Sequence, residues 1–345
     1  MRLLLLPFSF LYGAGVVLRN LFFEIGILRT QSVGVPVIAV GNISAGGVGK
    51  TPFVELLVRK FTAKGKKVAV VSRGYGRATT GTVVVSDGSV LAADSSAAGD
   101  EAFQIAAKLS GTIVIVDEQR VRGARCAVER FGASLIVLDD AFQHRYIKRD
   151  DDIVLIPAAD AHNPGMLLPA GNRREPLRSL SRASLIALTR CEGAAQYESA
   201  CGDLRRFTQT PVIGLTTRVT AFRRASTRFS VDLPGLKGKS AVAFSGIGNP
   251  ESFEGTLHSL GLTIVNHLRF PDHHVFTKSD LRELEEQLSR SKTDFLVTTE
   301  KDIARLERKT EPYTSFLDRA PLYYIEIEQA ILKGEQVLNS LIEKF

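Results

Sequence analysis

V-P-V-I-A-V-G-N-I-S-A-G-G-V-G-K-T-P, residues 35–52, is the stretch whose reading decides the fold. An apolar strand, Val35 to Val40, runs into a glycine-rich loop ending in Gly49-Lys50-Thr51, and a helical segment from Pro52 to Lys64 follows. That order builds a phosphate cradle. Glycines at 46, 47 and 49 let backbone N–H groups curl around a polyphosphate, Lys50 reaches its β and γ phosphates, and the Thr51 hydroxyl holds Mg²⁺. The binding loop is therefore Ser44, Ala45, Gly46, Gly47, Val48, Gly49, Lys50 and Thr51. The strict pattern has Gly at position 44. Serine costs more than glycine at a left-handed backbone angle, so a local change of loop shape is expected there.

Working outward, apolar runs alternate with helical segments. Strands are expected at Lys67 to Ser72, Ile113 to Val116, Leu135 to Leu138, Ile153 to Ile156, Leu185 to Thr189 and Val212 to Leu215. Helices are expected at Asp100 to Leu109 and Arg120 to Phe131. Strands separated by helices of this length predict a parallel sheet with right-handed crossovers and helices on both faces. Between Thr216 and Leu236 alternating Thr, Arg, Ser and Phe predict an antiparallel ribbon. A second βα series runs through 241–245, 250–260, 263–268, 278–289, 295–298, Asp302 to Arg308 and 322–327. The expected class is α/β, a P-loop NTPase-type sheet with a second, smaller α/β domain. The divisions are an apolar N-terminal helix (1–29), a P-loop domain (30–215), a β-ribbon linker (216–236) and a C-terminal domain (237–345).

A chain of 345 residues is long enough for two cores. The net charge of +7, from 44 basic and 37 acidic residues, suits an anionic substrate or membrane surface, and no aromatic-interleaved basic stripe argues for nucleic acid. Cys126, Cys191 and Cys201 show no metal-type spacing and point to a reducing compartment.

The N-terminus departs from the globular pattern. Leu3 to Leu18 contains no charge and is followed by Leu21-Phe22-Phe23. As a helix this segment spans about 24 Å, short of the roughly 30 Å hydrocarbon thickness. It lacks a small-residue cleavage site and holds Pro7. The favoured reading is a helix lying in a membrane interface, with Arg2, Arg19 and Arg29 facing anionic head groups; a helix packed on the protein itself is the alternative.

Carboxylates complete the phosphate loop. Leu135 to Leu138 ends in Asp139-Asp140, the form of a Walker-B strand whose acid faces bound Mg²⁺, with a helix N-cap as the alternative. Asp100 and Glu101 open a helix after Gly99, a position that dipole capping alone also favours. Asp272-His273-His274 lies in a loop where adjacent histidines point apart, leaving one as a base or its orienting partner. Arg173, Arg174, Arg178 and Arg182 cluster in the long stretch 158–182 and read either as solvated or as functional. Thr277-Lys278-Ser279-Asp280 has the form of a guanine-reading motif but precedes a helix and reads better as its cap.

These segments together resemble the tetraacyldisaccharide 4′-kinase family, the lipid A 4′-kinases. The resemblance runs through V-G-N-I-S-A-G-G-V-G-K-T-P at 40–52, S-R-G-Y-G-R at 72–77, G-D-E at 99–101, D-D-A-F-Q-H at 139–144, L-P-A-G-N-R-R-E-P at 168–176, F-S-G-I-G-N-P at 244–250, F-P-D-H-H at 270–274 and T-T-E-K-D at 298–302. Ala141 and Ala102 stand where the family usually has Gly and Pro. The resemblance implies transfer of the ATP γ-phosphate to the 4′-hydroxyl of a tetraacylated disaccharide 1-phosphate, forming lipid IVA at the cytoplasmic face of the bacterial inner membrane. No nucleic acid or protein partner is expected. It further implies Asp100 as general base with His273 as its partner, and Lys50 on the transferring phosphoryl group. Thr51 and Asp139 would serve Mg²⁺, with Glu101 and Asp140 as further candidates. Tyr75, Arg120, His144, Arg174 and Glu175 lie in segments expected to meet the head group. The alternatives are a partitioning-type ATPase switch, whose signature lysine would fall near Ala45, and a metal-insertion GTPase, which would want metal-ligand clusters.

Overall fold

The computed structural model describes residues 2–163, 165–307 and 311–345. A 3-10 turn, Arg2–Leu5, leads into α1 (Leu6–Glu24). There follow β1 (Val37–Asn42), α2 (Lys50–Ala63), β2 (Val68–Ser72), β3 (Val83–Asp87), α3 (Ser95–Ala98), α4 (Asp100–Lys108), β4 (Ile113–Val116), α5 (Arg120–Phe131) and β5 (Leu135–Leu138). Next come β6 (Asp151–Pro157), β7 (Leu185–Thr189), α6 (Ala194–Leu204), β8 (Val212–Arg224) and β9 (Ser230–Val231). The last part comprises β10 (Ser240–Ser245), α7 (Pro250–Ser259), β11 (Thr263–Arg269), α8 (Lys278–Ser291), β12 (Phe295–Thr299), α9 (Glu300–Leu306), α10 (Tyr313–Arg319), β13 (Leu322–Lys333) and α11 (Glu335–Glu343).

One sheet runs through the molecule in the order β11-β10-β12-β13-β8-β7-β6-β1-β5-β2-β4-β3. The strands of its first part alternate between two buried faces. Ile38, Val40, Val68, Val70, Leu135 and Val137 pack with Phe53, Leu57 and Phe61 of α2 and Ile105 of α4. Val37, Ala39, Ala69, Val71, Ile136 and Leu138 pack with Ala124 and Ala127 of α5. Period-two alternation with apolar residues at every position is what a strand covered on both faces requires. Fully enclosed Phe53 and Phe61 each contribute about 2–3 kcal/mol to that packing. The second part repeats the plan, with α8, α9 and α10 on one face of β10 and β12 and α7 on the other.

The expected parallel sheet also contains antiparallel pairings. β3 pairs with β4 at the edge, and β13 pairs with β8 along most of its length, Tyr323 opposite Arg224 and Lys333 opposite Gly214. The strand expected at 212–215 therefore runs on to Arg224, and its partner is the end of the chain rather than the next 20 residues; only Ser230–Val231 folds back on it. The last expected helix starts at Glu300, and Arg308, its expected end, lies outside the described residues. Five of the described helices and strands go beyond the expected set: β3, α3, α6, α10 and α11. Thr277 and Asp280 form a capping box on α8, as expected for a cap.

Helix α1 is 19 residues, about 28 Å long, with Pro7 accommodated in its first turn. Only Ser9, Val16 and Phe23, spaced seven apart, are buried. Phe10 and Leu11 are 77% and 71% exposed. The stripe is pinned by Ser9 Oγ donating to Leu167 O (2.9 Å), Tyr12 donating to Arg174 O (3.1 Å) and Asn20 Nδ2 donating to Glu175 Oε2 (3.1 Å).

Candidate active site

The phosphate loop leaves the carboxyl end of β1, where ligands bind in open α/β sheets. Within it only Gly46 (φ +110°) and Gly49 (φ +86°) are left-handed, and Ser44 is not. Ser44 is bridged to Arg173, Ala45 N–H donates to Asn172 O (2.7 Å), and Arg174 N–H donates to Ile43 O (2.7 Å). Residues 172–174 thus lie along the loop like a short extra strand, so a serine suffices where the strict pattern has glycine.

Lys50 opens α2 and extends its Nζ to Asn42 Oδ1 (3.2 Å) and Asp140 Oδ1 (3.2 Å). Asp140 sits at φ +48° just past β5, and its other oxygen takes Arg174 Nη1 at 3.1 Å. Burial opposes the charge on Asp140, yet Lys50 and Arg174 hold its carboxyl below the usual range. Asp139 is the contrast. It is fully enclosed, and neither carboxylate oxygen has a hydrogen-bond partner among the described residues. Burial, with Glu101 and Asp140 nearby, raises its pKa to about 7. An orphaned buried carboxylate beside the phosphate loop is the place for a cation. No three His, Cys, Asp or Glu side chains converge as a metal cage among the described residues. That donor set fits Mg²⁺, which one or two carboxylates hold together with substrate phosphates.

Helix α4 brings Asp100 and Glu101 to the same mouth. Gly99, at φ +82°, turns the chain from α3 into α4, and a Cβ there would lie 2.7 Å from Tyr75 O. Gly74, at φ +67°, leaves 2.9 Å between such an atom and Ala98 O. The turns at 74–76 and 98–100 therefore interlock through two glycines. Tyr75 is exposed above them, its ring 5.2 Å from that of His273.

The opposite wall comes from the second part of the chain. His273, at φ +60°, donates its N–H to Gly246 O and places Nδ1 3.5 Å from Asp100 Oδ2. His274 turns away, to Asp280 Oδ2 (2.9 Å) and a stack on Phe270. Helix α9 adds residues that sequence reasoning missed. Arg305 Nε reaches Asp100 Oδ2 (2.6 Å), its Nη1 reaches Asp302 Oδ1 (2.9 Å), and Lys301 Nζ reaches Glu101 Oε1 (2.6 Å). Burial raises the pKa of Asp100, but the His273 hydrogen bond and Arg305 outweigh it and hold the carboxyl below its ordinary value. Glu101 is likewise held low, by Lys301 and Lys50 against burial. The signal was present in T-T-E-K-D, whose charges follow a strand end as Asp139 does, but their partners lie about two hundred residues away.

The remaining expected residues separate into two groups. Arg120 is buried, donates to Asp117 O (3.3 Å), and its Nε has no partner among the described residues. His144 is half-buried, and burial with Arg120, Arg149 and Arg73 lowers its pKa to about 4. Glu175 lies behind the site, completely enclosed, accepting from Asn20, Gln143 and Arg182. Of the arginine cluster, Arg173 donates to Asp160 O and Asn163 O, Arg182 lies over the Phe142 ring, and Arg178 is exposed.

Comparison with known proteins agrees over the full length. The family model described as tetraacyldisaccharide-1-P 4′-kinase matches residues 1–345. A tetraacyldisaccharide 4′-kinase of Chlorobium limicola is 40% identical over 99% of this chain and 97% of its own. One from Chlorobaculum parvum is 39% identical over 97% and 92%. Among solved structures, the "apo" form of LpxK from Aquifex aeolicus in complex with ATP superposes with a TM-score of 0.78 at 32% identity, covering 99% of this chain and 98% of that one.

Proposed function

This chain belongs to the tetraacyldisaccharide-1-P 4′-kinase family, an ATP-dependent lipid A 4′-kinase by that membership, and we propose which of its residues carry the transfer. The observation that supports the assignment is the meeting of Asp100 with His273 and Arg305 beside Lys50 and the orphaned Asp139. Asp100 is the general base. It takes the proton of the sugar hydroxyl as that oxygen bonds to the γ-phosphorus and the bond to the bridging oxygen breaks, releasing ADP. His273 orients Asp100 through Nδ1. Lys50 is positioned to stabilise charge on the transferring group. Thr51 and Asp139 would hold Mg²⁺, which when bound neutralises phosphate charge, while Glu101 and Asp140 poise the surrounding field.

The acceptor is a lipid, and α1 supplies a route to it. Its exposed apolar face suits the boundary of a bilayer, at the cytoplasmic face of the inner membrane, with Arg19 and Arg29 toward head groups. The side chain of Arg2, expected to join them, lies outside the described residues. A cavity of about 670 Å³ lined by Asn163, Met166, Pro169 and Asn172 opens between the foot of α1 and the phosphate loop. Tyr75, Arg120, His144 and Arg174 are the residues assigned to the head group; Glu175 supports them from behind.

The test is γ-³²P transfer from ATP with Mg²⁺ to the lipid disaccharide 1-phosphate in mixed micelles. Labelled lipid is expected with wild type and lost with Lys50→Ala. Asp100→Ala should keep ATP binding and abolish transfer; intact transfer by that variant removes Asp100 from the mechanism.

A further inference from the structure

We propose that Ser245, His267 and Glu254 are positioning residues for the transfer, a hydrogen-bonded relay that seats the Gly246 carbonyl on which His273 rests. This rests on the kinase reading and deepens it. The segment F-S-G-I-G-N-P, 244–250, joins β10 to α7, and Ser245 ends the strand. Ala243, two residues earlier, is the register partner of His267 on β11, so serine and histidine rise on one face of the sheet, the face covered by α7. Ser245 Oγ lies 2.9 Å from His267 Nε2, and Nδ1 of that ring lies 2.9 Å from Glu254 Oε2 on α7. Arg269 Nη2 meets the same carboxylate oxygen at 2.9 Å, and His258 Nε2 lies 3.8 Å from the other. The His267 bond, with Arg269, holds the Glu254 carboxyl down at about 2. Ionised Glu254 can only accept, which puts the ring proton on Nδ1 and leaves Nε2 to accept from the Ser245 hydroxyl.

Serine, imidazole and carboxylate in that order are the parts of an activated nucleophile. Enclosure rules that use out. Ser245 is fully buried and the His267 side chain is 5% exposed, so no acyl carbon reaches the hydroxyl. What the relay does fix is the backbone that leads to the site. The next residue, Gly246, accepts His273 N–H (3.2 Å) and Arg305 Nη1 (2.5 Å) at its carbonyl, and its own N–H donates to Asp302 Oδ1 (3.2 Å). A Cβ there would lie 3.2 Å from both Arg305 Nη1 and His274 Cβ, so the packing leaves little slack. The far end of the segment is pinned as well, by Asn249, whose side chain accepts Ser252 N–H (3.0 Å) and caps α7. Glu254, His267 and Ser245 thus form a chain of direct bonds that leads through one peptide unit to Gly246, and from its carbonyl through His273 to Asp100. Breaking the relay lets His273, held at φ +60°, lose its aim on Asp100. The phosphate loop belongs to another part of the chain, so nucleotide binding is spared.

The experiment is γ-³²P transfer to the lipid disaccharide 1-phosphate in mixed micelles with full-length protein, read as kcat and KM in a double-variant cycle. His267→Ala should lower kcat about tenfold, with KM for ATP unchanged within about twofold. In a His273→Ala background the same change should cost less than about threefold, because the group it aims is already gone. His267→Gln, whose amide donates to Glu254 and accepts from Ser245, should recover kcat to within about threefold of wild type. If His267→Ala does not fold, Ser245→Ala takes its place in the cycle, with an expected kcat loss of about fivefold and the same dependence on His273. An equal loss in both backgrounds, an unchanged kcat, or a loss confined to KM for ATP would make the relay structural only and overturn the proposal, leaving the kinase reading intact. Wild type giving no labelled lipid would overturn the kinase reading, and the proposal with it.

Discussion

Arg305 sets its Nε 2.6 Å from Oδ2 of Asp100 across 205 positions of sequence, and the same guanidinium bonds Asp302 Oδ1 and Gly246 O. The proposed base is therefore held by a side chain from the opposite wall of the cleft, which fixes its position and depresses its pKa together with His273. A depressed carboxyl is ionised down to low pH, so the acid limb of the rate profile lies low. Arg305→Lys loses the fork geometry, and kcat should fall about 10²-fold. The acid limb of kcat/KM should move to higher pH, since the Nε hydrogen bond that favours the ionised Asp100 is lost. A pH profile that keeps its wild-type limb would show that Arg305 is structural only.

Gly99→Ala tests the interlocked turns. The added Cβ would meet Tyr75 O at 2.7 Å at a backbone angle of +82°, forcing α4 to shift. A displacement of about 1 Å at Asp100 is expected to cost about 10²-fold in kcat, with ATP affinity unchanged within about twofold. Steady-state kinetics beside nucleotide titration separates the two.

Glu175 anchors α1. Glu175→Ala leaves Arg182 without its 2.8 Å partner and frees Asn20 of the helix. Stability should drop by about 3 kcal/mol, and trypsin should cut faster at Arg29. Glu175→Gln should be milder, because an amide still bonds both neighbours. Melting curves and a digestion time course measure this.

Stability should also depend on pH through Glu55. Burial dominates there and raises its pKa from 4.5 to about 7, although Lys108 Nζ lies 3.0 Å away and also pairs with Glu300 of α9. The folded state holds this proton more tightly than the unfolded chain does. Its contribution is thus fully present below about pH 4.5 and is lost as pH rises through about 7, with an upper bound of about 3 kcal/mol. Glu55→Gln should flatten the fall in melting temperature across that window; an unchanged slope would assign the effect elsewhere.

Local rules covered a large share of the architecture. Ile113 to Val116, Arg120 to Phe131, Leu135 to Leu138 and Leu185 to Thr189 fold within the bounds their patterns predict, because strands covered on both faces and amphipathic helices advertise themselves residue by residue. The Thr277 cap was legible for the same reason: donor and acceptor are three residues apart. β3 escaped notice because an edge strand is only half buried, and β13 ran longer than expected because its pairing with β8 is a contact between distant segments.

At the site the division is sharper. The sequence by itself determined the phosphate loop, the acids that end β5 and open α4, and the family, since those are short motifs whose chemistry depends on neighbouring residues. Tertiary structure alone decided which acid is caged and which is free. Asp140 is neutralised by Lys50 and Arg174, Glu101 by Lys301 and Asp100 by Arg305, while Asp139 has no hydrogen-bond partner among the described residues. Charge interactions act through space at a few ångströms, and only the continuous sheet, by setting α9 against α4, brings those partners within that range.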